Sequence, residues 1–99
     1  MTRGDISDRV VSLAEKLEQG ARLGEDMDVL ECRYEITESG DVREVTAVVT
    51  VGGPYLAVEC LSGVITGTWG SDRHRTHVDS DAVTAFGERH ADRMEARID

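Results

Sequence analysis

The densest run of chemically capable side chains in this sequence is Ser71-Asp72-Arg73-His74-Arg75-Thr76-His77. It is the one cationic island in an acidic chain. On a β-strand, Arg73, Arg75 and His77 project from the same side, because side chains alternate with a period of two. Guanidinium forks beside hydroxyl donors suit a phosphate or a carboxylate. The competing reading is protective, since charged side chains on an edge strand deter pairing with other chains. Both readings stand at the level of sequence.

Other arrangements carry less chemistry. His74 and His77 have odd spacing and so fall on opposite faces of a strand, while His90 lies in a helical pattern near the C-terminus. A zinc site drawing on His74 and His90 would need a further ligand, with Cys32 the nearest candidate, so no metal centre is expected. Glu59 and His77 are expected in one row with Thr66 between them, roughly 9–10 Å apart, too far for a base and its orienting carboxylate. Gly52-Gly53-Pro54 joins two strands and opens no helix, so it reads as a hairpin turn and not as a phosphate loop. No cofactor motif is present, and a non-catalytic role is favoured over an enzyme.

Composition sets the frame for these residues. The 99 residues hold twenty Asp and Glu against eleven Lys and Arg, a formal net charge of −9. Lys16 is the only lysine. Residues 25–44 alone carry eight acids and two bases. Such a surface suits concentrated salt, where the Debye length falls to about 3 Å at 1 M and repulsion among carboxylates is screened. Nucleic-acid binding is disfavoured by this charge and by the steep loss of phosphate contacts with salt. No apolar run approaches the 18 residues of a membrane span, and no signal-peptide core follows Met1, so a cytoplasmic protein is expected. The hydrophobic fraction is 39%, with Val, Leu, Ile and Ala dominating the candidate core, and the length allows one domain over residues 1–99.

The elements that must position the cationic run follow from periodicity. Ile6, Val10, Leu13, Leu17 and Ala21 recur at helical spacing, with Asp5 or Ser7 as N-cap and Gly20 and Gly24 as stops. From Met27 to Val78 the pattern has period two, rich in Val and Thr and broken by turn dipeptides, which predicts consecutive hairpins. A second helix starts at an Asp79 or Ser80 cap and buries Val83, Phe86, His90, Met94 and Ile98. The expected fold is α+β with two layers: a four- to five-stranded antiparallel meander, and an N-terminal and a C-terminal helix packed on one face.

Two-residue turns at Gly40-Asp41, Gly52-Gly53, Ser62-Gly63 and Ser71-Asp72 would fix the register. The apolar face then carries the rows Ile36–Val45–Cys60–Ile65–Val78, Tyr34–Ala47–Val58–Gly67–Thr76 and Cys32–Val49–Leu56–Trp69–His74. Gly67 leaves room for the Trp69 indole or for a helix to approach the backbone. Cys32 and Cys60 fall roughly 11–12 Å apart, beyond disulfide reach, which predicts two reduced and buried thiols. The opposite, open face gathers Arg33, Tyr55, Thr66, Thr68, Arg73, Arg75 and His77 as candidate contacts. It also bears an apolar strip of Val48, Ala57, Leu61 and Val64, which a second copy or a protein partner could cover. A small anionic ligand at Arg73, Arg75 and His77 is the alternative.

The segments Gly52-Gly53-Pro54-Tyr55-Leu56-Ala57-Val58, Ser62-Gly63-Val64 and Gly67-Thr68-Trp69-Gly70 resemble a pattern in small proteins of halophilic archaea. That family carries no assigned activity, so the resemblance implies a salt-adapted protein and transfers no functional residue.

Overall fold

A computed structural model describes residues 6–98, with side chains through Arg97. Helix α1 spans Ile6–Glu18 and buries Ile6, Val10, Leu13, Ala14 and Leu17. It ends at Gly20, whose φ of +109° lets the Gly20 N–H reach Leu17 O and the Ala21 N–H reach Lys16 O. This pair of reversed bonds satisfies carbonyls that a helix end otherwise leaves open. Ser7 sits inside α1, and Asp5, the other expected cap, lies outside the described residues.

Five strands follow: β1 Glu31–Ile36, β2 Val42–Thr50, β3 Tyr55–Glu59, β4 Val64–Trp69 and β5 Asp72–His77. They form one antiparallel sheet in chain order, the expected meander. Residues 27–30 precede the first strand instead of belonging to it; the 19–30 connection is an ordered loop that places Leu23 in the core and folds around the Arg22–Asp26 ion pair at 3.1 Å. Helix α2, Asp81–Ile98, closes the chain. The Ser80 hydroxyl accepts the Val83 N–H at 3.2 Å, so Ser80 is its N-cap. Replacing Ser80 by alanine should cost about 1 kcal/mol in a urea titration, the usual loss of a cap; a smaller change than a few tenths would show that the docked helix no longer needs it.

Both helices lie on one face of the sheet, α1 against β4 and β5 and α2 against β2. The core between the layers is built from Leu17, Val45, Val58, Cys60, Ile65, Val83 and their neighbours. Two glycines let the helices come close. A Cβ on Gly67 would meet Val10 Cγ2 at 2.5 Å, and one on Gly87 would meet Cys60 Cβ at 2.7 Å. Of the two expected uses of Gly67, helix approach is the one realised. The Trp69 indole lies instead beside Gly53, with the Arg9 guanidinium 5.6 Å from its ring centre.

The register differs from the two-residue-turn expectation in three of the hairpins. Tyr34 faces Val45 instead of Ala47, Val58 faces Ile65 instead of Gly67, and Gly67 faces His74 instead of Thr76. Each shift is two residues, so every side chain keeps its face. The first loop runs through Thr37–Asp41 and closes with the Thr37 N–H on Asp41 O at 2.8 Å. The third has four residues, 60–63, and the last is Gly70-Ser71. The second hairpin keeps the expected register at Ala47 and Val58 until a bulge sets Leu56 opposite Thr50.

Candidate binding face

The sheet face turned away from the helices carries two complete rows, Arg33–Thr46–Glu59–Val64–His77 and Glu31–Val48–Ala57–Thr66–Arg75, and a partial row Tyr55–Thr68–Arg73. Thr66 is thus paired with Arg75, Thr68 with both Tyr55 and Arg73, and Val64 with His77. Arg33 stands at the far side of the sheet, four strands from His77, and does not join the cationic island. Glu59 and His77 do share a row, with Val64 between them where Thr66 was expected.

Ion pairs decide which cations remain available. Arg75 reaches back across β4 to the Glu59 carboxylate on β3 at 3.5 Å. Arg33 is bonded to Glu31 at 2.9 Å, and that carboxylate raises the Arg33 pKa above its ordinary range, with a smaller push from Tyr55. Among the described residues Arg73 has no carboxylate partner. A shallow groove of about 320 Å³ lies at Val64, Arg75, Thr76 and His77. The arginine on that groove is the one already held by Glu59, so the island is less of an anion trap than its sequence implies.

Sequence reasoning missed the carboxylates that organise this face. Glu44 accepts the Leu61 N–H at 2.7 Å, the Ser62 N–H at 3.1 Å, the Ser62 hydroxyl at 2.6 Å and the Val45 N–H at 2.9 Å. It pins the β3–β4 turn to β2. Arg33, Glu35, Arg43, Glu44 and Glu59 surround a groove of about 420 Å³, with Arg43 bonded to Glu35 at 3.6 Å. Alternation of charge along β1 was the available signal for the Arg43–Glu35 pair, whose register the first turn did not fix, whereas Glu44 lies on the hairpin that keeps its expected register.

The expected apolar strip is also revised. Val48 is fully buried, Ala57 is 3% exposed and Val64 9%, although among the described residues no second layer of helix or strand covers this face. These small residues therefore expose almost no surface for a partner to cover. Leu61 leaves the strip altogether and packs against the core beneath the helices, where its Cδ2 is 2.9 Å from a Cβ built on Gly87.

His90 on α2 packs inward against the sheet. His90 stacks on Phe86 with ring centres 4.2 Å apart, and its Nδ1 is 3.3 Å from the Tyr34 hydroxyl. It is at the β1 side of the sheet and His74 is on β5, so the two do not meet. Burial, helped by Arg93 and Arg89, lowers the His90 pKa. The unfolded chain therefore binds this proton more readily, and the stability from neutral His90 is complete above about pH 6.5 and lost as pH falls through the folded value. Between about pH 7 and pH 5 the wild type should lose more stability than His90→Gln in paired thermal melts; parallel losses would refute the assignment. Cys32 and Cys60 are both free; Cys60 is buried and its thiol pushed up to about 12, whereas Cys32 is only half-buried instead of fully so. Among the described residues no helix is long and apolar enough to cross a membrane. Ile98, the last residue of the expected helix stripe, lies outside the described side chains. Comparison with protein-family models, with curated proteins and with solved structures gave no match to this chain.

Proposed function

We propose that this chain is a non-catalytic association module that presents the open face of its sheet to a protein partner, another copy of itself included. The observation that carries this reading is the polarity of that face. Glu31, Glu35, Glu44 and Glu59 stand on the β1–β3 side with Arg33, and Arg73, Arg75 and His77 stand on β5. A face graded from acidic to basic is complementary to its own reverse, and charge patterns of this kind select and orient partners more than they add affinity. The expected contacts are Arg33, Tyr55, Thr66, Thr68, Arg73, Arg75 and His77. The net charge of −9 supports work in a salt-rich cytoplasm, in keeping with the resemblance to halophilic proteins.

The alternative is a small enzyme or ligand-binding protein for an anionic metabolite, supported by Arg73 with Thr68 and Tyr55 beside it. Amide-shift mapping in molar KCl separates the two. Association predicts concentration-dependent shifts on β3–β5 that Arg73→Glu with Arg75→Glu removes. Shifts confined to β4 and β5 and driven by phosphorylated or carboxylated metabolites would favour the ligand. An open face inert to both would overturn both.

A further inference from the structure

We propose that the β1 edge is a self-complementary interface on which a second copy of this chain adds its own β1, antiparallel and centred on Cys32, so that the two sheets become one. This is independent of the open-face reading.

The two edges of the sheet differ in kind. Pairing two β5 edges about Arg73, His74 or Arg75, the middle of the strand, sets arginine against arginine of the other copy, which repel. On β1 the charges alternate as Glu31, Arg33, Glu35. Helix α2 packs on β2, and beyond it Cys32 and Tyr34 are only half-buried while Leu30 is 55% exposed.

The backbone of β1 offers the bonds such a pairing needs. The Cys60 N–H donates to Val45 O at 2.8 Å, so Val45 directs its polar groups toward β3. By alternation Glu44, Thr46 and Val48 direct theirs toward β1, where they face Glu35, Arg33 and Glu31. The N–H and C=O groups of Cys32 and Tyr34 therefore point outward, and among the described residues no strand lies beyond them.

Charge then selects the register. Centring the pair on Arg33 would oppose arginine to arginine and Glu31 to Glu35. Centring it on Cys32 opposes Glu31 to the partner's Arg33 and Arg33 to the partner's Glu31, while Leu30, just before the strand, keeps its N–H on Val48 O at 2.8 Å. Centring on Tyr34 also matches charges but runs into the irregularity between Glu35 and Ile36. The Cys32 register uses the regular part of the strand and places the two Cys32 residues directly opposite, with Cα atoms about 5.5 Å apart.

Charge exchange on the full chain tests this. The wild type should dimerise weakly in sedimentation, with the Cys32 and Tyr34 amides slowing in hydrogen exchange as concentration rises. Arg33→Glu and Glu31→Arg each oppose like charges across the edge and should weaken the dimer about tenfold. The double variant E31R/R33E restores the opposition and should restore the dimer. A short bis-maleimide should link the wild-type dimer through Cys32, and Cys32→Ser should abolish the link but leave the dimer. Arg73→Glu with Arg75→Glu should leave the edge dimer intact, so failure here and failure of the open-face reading are told apart. A wild type monomeric at millimolar concentration, a folded double variant that stays monomeric, or a dimer that the reagent cannot link would overturn the proposal.

Discussion

Replacing Gly67 by alanine lowers the stability of the fold by about 1–3 kcal/mol, the cost of overpacking a filled core. Glycine in a strand interior is ordinarily a weak point, and alanine at a compatible position gains about 0.4–1 kcal/mol by reducing unfolded-state entropy. Here the sign reverses. The new methyl would lie 2.5 Å from Val10 Cγ2 and 2.9 Å from both Ile6 Cδ1 and Leu56 Cδ2. Val10 is fully buried and β-branched, so it has no rotamer to retreat into, and α1 as a whole must move off β4. In a thermal melt at fixed salt the midpoint should fall by roughly 4–8 °C for each kcal/mol lost. Val10→Ala removes the clashing methyl, so the double variant should be less destabilised than the sum of the two single changes. Strict additivity, or a Gly67→Ala protein as stable as the wild type, would show that α1 does not rest on this glycine. Gly87→Ala obeys the same logic on α2, where the helix gain of about 1 kcal/mol for alanine is opposed by contact with Cys60.

Glu44→Ala costs about 2 kcal/mol and loosens one specific turn. Its carboxylate takes two backbone N–H groups from residues 61 and 62, the Ser62 hydroxyl and the Val45 N–H. Hydrogen bonds to a charged acceptor are worth about 1.5–3 kcal/mol each in net terms, but this site is half-exposed and water can replace part of what is lost. Glu44→Gln should fall between, since one amide oxygen can still accept while its NH₂ faces donors. The local readout is hydrogen exchange: the Leu61 and Ser62 amides should lose protection ahead of the sheet. Unchanged exchange at Leu61 in Glu44→Ala would mean that the 60–63 turn is held by its own backbone.

The faces of the sheet were legible because side-chain direction has a period of two. Tyr34, Val45, Val58 and Ile65 are assigned to the helix side by any register that differs by an even number of residues. Arg33, Tyr55, Thr66, Thr68, Arg73, Arg75 and His77 are likewise on the open face, but their neighbours are not those that two-residue turns imply. The shifts of two along β4 and β5 move Arg75 from Thr68 to Thr66 but cancel between β3 and β5, so Arg75 keeps its place in the row of Ala57, next to Glu59, and the ion pair at 3.5 Å neutralises the arginine on the β5 groove. The helix cap at Ser80 and the stop at Gly20 were equally local and equally visible.

Turn lengths were not local. The four-residue turn at 60–63 is held by a carboxylate on β2 about a sixth of the chain away, and no dipeptide rule can see it. The buried state of Val48 and Ala57 is of the same kind, since alternation assigns them to the open face and says nothing of how much of them is exposed. The sequence by itself determined the α+β layers, the helix ends and which side of the sheet each residue faces, because these depend on periods and caps within a few residues. Only the tertiary structure decided the register, the ion pair that consumes Arg75, and the outward-facing backbone of β1, because each depends on contacts between segments far apart in the chain.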